Sequence, residues 1–126
     1  MGALPEVVSK AWDDRKGPIV LTTVDADGMP NAIWASCVKK LSDDTLVVAD
    51  NYFNKTRANI QAGSKGTILL ITNEGKSYQV KGTISYETSG EVYDDMKQNW
   101  LGEKMPGVAA AVLHVEEVYS GAEKLL

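Results

Sequence analysis

Six apolar or alternating runs of strand length follow one another in this chain: "PIVLTTV", "NAIWASCVKKL", "TLVVAD", "KGTILLIT", "SYQVKGTISYET" and "GVAAAVLHVEEVYS". Three of the connections, "DADGMP", "SDD" and "NEGK", are turns, and the first has Asp-Gly hairpin chemistry. Neighbouring parallel strands need a crossover of a dozen residues or more, so strands joined this tightly pair antiparallel. The fifth run alternates cleanly, with Tyr78, Val80, Ile84 and Tyr86 on one face and Gln79, Lys81, Thr83 and Ser85 on the other. One face is dry and the other wet. An antiparallel sheet of six strands closed into a barrel removes the exposed edges and is the expected solution.

Three helical segments flank these strands. Residues 4–14 carry Pro5 near a first turn, then Val7, Val8, Ala11 and Trp12 on one apolar face, with Gly17-Pro18 as the stop. Residues 54–62 have Asn54 as N-cap and Gly63 to close the helix in a left-handed conformation. Thr88 and Glu91 suggest a capping box for a helix in which Val92, Met96 and Trp100 recur every fourth residue, ended by Gly102. A chain of 126 residues supports one core, so a single domain over 1–126 is expected.

Charge and composition exclude several functions. With 13 Lys plus Arg against 17 Asp plus Glu, the net charge of −4 argues against nucleic acid as the main partner, so any binding of phosphate must be local. The single cysteine, Cys37, cannot form an intrachain disulfide, and a single histidine, His114, cannot build a metal site with it. Cys37 reads as a buried small hydrophobe and His114 as a structural or surface residue on the face of Val112 and Glu116. No apolar run reaches membrane-spanning length and no elbow such as G-x-S-x-G is present, so a cytoplasmic protein with no membrane partner is expected.

The most unusual local chemistry is "DNYFNKTRANI", residues 50–60, which follows the run "TLVVA". A cap at Asn54 puts Lys55, Thr56 and Arg57 in a first helical turn, where unpaired N–H groups and the dipole favour anions. Two cations there point to an arriving anion, a phosphate monoester by preference. Arg57 would fork a phosphate oxygen or stand as a solvated neighbour. Read alone, the stretch is equally consistent with two ordinary surface charges, since no GxxxxGK[ST] cradle accompanies it.

Taken together, "DADGMPNAIWAS", "TLVVADNYFNKTRANI", "GTILLI" and "YQVKGTISYET" resemble the small flavin-binding members of the pyridoxamine 5′-phosphate oxidase-like family, the FMN-binding split β-barrels. The resemblance spans about residues 17–119 and implies a mainly β, six-stranded antiparallel Greek-key barrel with flanking helices. It implies FMN as cofactor, with Lys55 and Thr56 at the phosphate, Asn54 beside them, and Asp50, Asn51 and Tyr52 along the ribityl chain and ring. Ile33, Trp34 and Ala35 match the strand whose backbone edges the isoalloxazine. Trp34 would wall a slot for the ring or serve as a core or interface aromatic, while Asp50 is costly near a phosphate unless Lys55, Arg57 or a ribityl hydroxyl pairs with it. The family builds its pockets at a homodimer interface, where Trp100, Leu125 or Leu126 would reach the partner's flavin.

An FMN-binding oxidoreductase or electron-transfer protein is therefore expected, with its catalytic residues, substrate and redox partner unspecified. Pyridoxamine 5′-phosphate oxidation itself is not expected, because Arg15 and Arg57 are the only arginines available for a substrate phosphate. The alternatives are a flavin-binding or flavin-storage protein without turnover, and a split barrel that takes haem or a deazaflavin.

Overall fold

The computed structural model describes residues 2–126. The chain runs α1 (Glu6–Asp13), β1 (Ile19–Val24), β2 (Pro30–Ala35), β3 (Val38–Ser42), β4 (Thr45–Asp50), α2 (Lys55–Gln61), β5 (Gly66–Ile71), β6 (Ser77–Glu87), α3 (Glu91–Asp95), β7 (Ala109–Ser120) and β8 (Glu123–Lys124). The strands form one antiparallel sheet in the order β2-β1-β5-β6-β7-β4-β3, with β8 added to β7. The first and last strands of that order are consecutive in the chain, so the sheet curls into a split β-barrel. α2 carries the chain from β4 to β5, which have β6 and β7 between them, and this long return is the Greek-key connection.

Eight strands replace the expected six for two reasons. The run "NAIWASCVKKL" divides at Ser36–Cys37: β2 pairs with β1 and β3 pairs with β4, so one extended stretch serves both ends of the sheet. The tail adds β8, whose pairing on β7 lets Leu125 and Leu126 pack against the barrel core.

The interior is filled by inward residues of every long strand, including Leu21, Leu46, Val48, Ile68, Leu70, Val80, Leu113 and Val115. α1 closes one end with Val8, Ala11 and Trp12, whereas Val7, expected on the same face, is 52% exposed. β4 and β7 are buried on both faces, because Val47, Ala49, Ala110 and Val112 form a second core with Met96 and Leu101. This explains the unbroken apolar run in "TLVVA": a strand covered on both sides needs no polar alternation.

The cover over that second core differs from the expected helix. Gly90, at φ +97, precedes its first turn, no side-chain cap forms, and Asp95 leads into a π-helical turn, Met96–Trp100, in which Leu101 N–H donates to the Met96 carbonyl at 2.9 Å. The wider turn aims both Met96 and Trp100 at β4 and β7. The outer face of β2-β1-β5 carries Trp34, Val20 and Leu69 in one cross-strand row, with Ile71 adjacent. Trp34 is 73% exposed.

Candidate functional site

A cleft of about 430 Å³ opens where the barrel splits. One wall is β2, the edge strand, contributing Asn31, Ile33, Trp34 and Ala35. The floor passes through Ser36 and Cys37, the point at which the chain leaves β1 for β4, and through Ala49. The far wall is the turn after β4, with Asn51, Tyr52, Phe53 and Asn54, and the start of α2, with Lys55 and Thr56. Met105 reaches in from the loop before β7.

Local sequence explains why α2 sits here. Its C-terminus is a Schellman closure: Gly63, at φ +96, donates to Ile60, and Ser64 donates to Asn59 at 2.9 Å. At the other end the expected side-chain cap is absent, since Asn54 contributes only its carbonyl, which accepts from Ala58. Polar ties hold the helix to the sheet instead. Asn31 Nδ2 donates to Thr56 Oγ1 at 2.9 Å, and Asn59 Nδ2 donates to Thr23 Oγ1 at 3.0 Å. Thr56 and Asn59 are both buried, so each tie is shielded from water.

The third tie involves Asp50. Its carboxylate is fully buried and accepts from Arg57 Nη2 at 2.9 Å, Arg57 Nε at 2.7 Å, Tyr86 Oη at 2.6 Å and the Phe53 amide at 3.0 Å. Burial alone would raise this carboxyl, but the hydrogen bonds from Arg57, Tyr86 and Phe53 hold it below the usual range. Arg57 is correspondingly raised above its ordinary value, first by the hydrogen bond to Asp50. Tyr86 is raised by burial and by the adjacent carboxylate.

Eight of the nine residues expected at a binding site line one cleft: Ile33, Trp34, Ala35, Asn51, Tyr52, Asn54, Lys55 and Thr56. Asp50 does not. Its side chain turns away into the barrel end, because the alternation of β4 puts it on the same inward face as Leu46 and Val48 and Arg57 meets it there. Arg57 is thereby withdrawn as well, which leaves Lys55 as the one cation among the cleft-lining residues. Among the described residues Lys55 has no hydrogen-bond or ion-pair partner. Trp34 resolves to the outer face, while Ile33 and Ala35 point inward, yet its ring still borders the cleft mouth. Trp100 packs on the second core of its own chain, and Leu125 and Leu126 pack on the first.

Sequence reasoning missed Asn31, Ser36, Cys37, Ala49, Phe53 and Met105. Asn31 shares a strand face with Ile33 and Ala35, so period-2 alternation was signal enough. Cys37 is half-buried at the β2–β3 break and lines the cleft, in contrast to the buried mid-strand position expected. Met105 had no local signal; its loop is held by Asn51 Oδ1, which accepts from Gly107 N–H at 3.0 Å, and by the Asp50 carbonyl, which accepts from Val108 N–H at 2.8 Å. His114 lies on β7 with Nε2 at 3.0 Å from Ser85 Oγ, and no cluster of three His, Cys, Asp or Glu is placed to hold a metal among the described residues. No described helix is long and apolar enough to cross a membrane.

Comparison with known proteins agrees with this architecture. The profile of the family described as "Pyridoxamine 5′-phosphate oxidase" matches residues 9–122. An uncharacterised protein of Methanocaldococcus jannaschii is 27% identical over 106 residues, covering 81% of this chain and 71% of the relative. The crystal structure of HupZ from Group A Streptococcus superposes with a TM-score of 0.80 at 26% identity, covering 97% of this chain and 94% of that one. An FMN-binding protein of Syntrophomonas wolfei has a TM-score of 0.71 at 21% identity, covering 87% and 80%, and at that identity the likeness is one of fold.

Proposed function

The chain belongs to the pyridoxamine 5′-phosphate oxidase family, and on that premise we propose that it is a flavoprotein, binding FMN non-covalently in the cleft between β2, β4 and α2. The observation that carries this reading is the convergence of a strand edge, apolar walls and one unpartnered lysine on a single cleft. Its volume, about 430 Å³, falls within the usual range for small-molecule sites. The donor set fits the group: Ile33, Ala35, Phe53 and Ala49 supply apolar surface for a flat ring, and Asn31, Asn51 and Asn54 supply polar side chains along its length.

In this reading Lys55 and the Thr56 hydroxyl hold the phosphate, and Asn54 stands beside them. Asn51 and Tyr52 follow the ribityl chain, and the free edge of β2 from Ile33 to Ala35 borders the ring. When bound, FMN supplies the electron or hydride transfer, and the chain's residues bind it, orient it and limit its contact with water. The withdrawal of Arg57 by Asp50 argues further against a second phosphate-bearing substrate, so pyridoxamine 5′-phosphate oxidation is not part of the proposal.

The functional unit in this reading is a homodimer. The row Trp34, Val20 and Leu69 is an apolar sheet face without cover in the single chain, and Trp34 and Tyr52, 73% and 77% exposed, stand at the cleft mouth where a second copy would complete it.

Visible absorption of freshly purified protein, with mass spectrometry of the released ligand, tests the reading. A two-band flavin spectrum and the mass of FMN are the expected result. A Soret band, a deazaflavin mass or a colourless protein that fails to take up added FMN would overturn it. Steady-state assays with NADH and NADPH then separate a redox enzyme from a flavin store.

A further inference from the structure

We propose that Asp50 is a positioning residue for the cleft, acting through Arg57 to hold the segment from Asn51 to Thr56 in the conformation that receives the phosphate. The inference rests on the FMN reading for the ligand and on geometry for the rest. Asp50 touches no open part of the cleft, so its effect on a ligand is indirect.

The geometry is that of a junction. One oxygen of the carboxylate receives the Phe53 amide and Arg57 Nη2, which closes the turn carrying Asn51, Tyr52 and Asn54. The other receives Arg57 Nε and the Tyr86 hydroxyl, which ties the first turn of α2 to β6. Arg57 Nε also lies 3.1 Å from Tyr86 Oη, so three side chains from three elements converge on one point. The main chain at the same residue accepts from Val108, and Asn51 accepts from Gly107, so the loop bearing Met105 is anchored to the same stretch.

A fork of two N–H donors on a buried carboxylate has one good geometry, unlike a point charge. Removing Arg57 leaves Asp50 as a buried charge without its partner, so the segment must shift to readmit water, and removing Asp50 releases a half-buried guanidinium from the contact that fixes α2 to the turn. Lys55 and Thr56 stand two residues and one residue before Arg57, so a shift there moves both groups that face the phosphate.

The test uses the full chain stripped of ligand, as wild type, Asp50→Asn, Arg57→Gln, the double variant and Tyr86→Phe. Affinities for FMN and riboflavin are measured by flavin fluorescence, and backbone amide exchange is followed without flavin. Each single variant at Asp50 or Arg57 should weaken FMN relative to riboflavin by about fivefold or more, the scale of one net hydrogen bond. The double variant should fall no further than the worse single one, because both act through one contact. Exchange at Phe53 and Val108 should quicken in Asp50→Asn. Tyr86→Phe removes the hydroxyl's two hydrogen bonds, to Asp50 and from Arg57, and keeps the ion pair, so it gives the same signs at smaller size if Asp50→Asn does not fold.

Equal weakening of both flavins would mean general destabilisation and would overturn the proposal, as would an unchanged ratio or additive losses in the double variant. If wild type binds no flavin, the FMN reading fails by itself. Amide exchange then decides the positioning role, and unaltered exchange at Phe53 and Val108 sinks it.

Discussion

Replacing Lys55 by alanine removes the one cation that lines the cleft, and its consequence can be worked from the structure. The side chain is exposed and engaged with nothing else among the described residues, so the folded state loses no internal contact. Stability should change by less than about 0.5 kcal/mol, as for a surface substitution away from structural features. A unit charge 4 Å from an anion is worth about 1 kcal/mol in bulk water and about 4 kcal/mol at the effective dielectric of a protein surface. The open cleft lies between these limits, so FMN should bind about 1–3 kcal/mol more weakly, roughly 5- to 150-fold. Riboflavin has no phosphate and should bind the variant and the wild type alike. Titration of apoprotein with both flavins, at low and at high salt, measures this directly, and added salt should shrink the wild-type preference for FMN. Wild-type protein that binds the two flavins equally well, or a variant that loses both equally, would refute the assignment of Lys55 to the phosphate.

Other perturbations probe the scaffold. A Cβ at Gly82 would overlap the carbonyl of His114 where β6 passes the β7 bulge, so Gly82→Ala should cost about 1–3 kcal/mol in urea unfolding, as overpacking does. Asp50 has its folded pKa below the unfolded value, so its stabilisation is present at neutral pH and is lost as pH falls through the unfolded value, near 4, towards the folded one. Unfolding midpoints measured from about pH 6 to about pH 3 should therefore fall, and fall less in Asp50→Asn. Tyr86 is shifted the other way, so its contribution is present below about pH 10 and declines as pH rises towards its folded value, which Tyr86→Phe should abolish in an alkaline unfolding series. Leu69→Lys places a charge at the β5 end of the uncovered sheet row and should convert the proposed dimer to a monomer by light scattering, with weaker FMN binding as a result.

Much of this protein was written in short stretches of its chain. Strand alternation, the Asp-Gly hairpin and the Gly63 closure of α2 are consequences of backbone geometry over a few residues, and neighbouring side chains decide them. Hence the antiparallel character, the place of α2 and eight of the fourteen residues that line the cleft were legible before any coordinates. The break at Ser36–Cys37 was not, because no glycine or proline marks it; β2 ends its pairing with β1, and β3 takes up β4, only when the sheet curls. The fate of Asp50 was equally hidden. Sequence put a carboxylate beside cations and left its partner open, and the answer depended on Tyr86, 36 residues away, arriving on β6 to close the cluster. Met105 entered the cleft by the same kind of long-range closure. Local hydrogen bonding and side-chain period are decided by adjacent residues, whereas which charge meets which, and which loop covers the site, waits on the closing of the barrel.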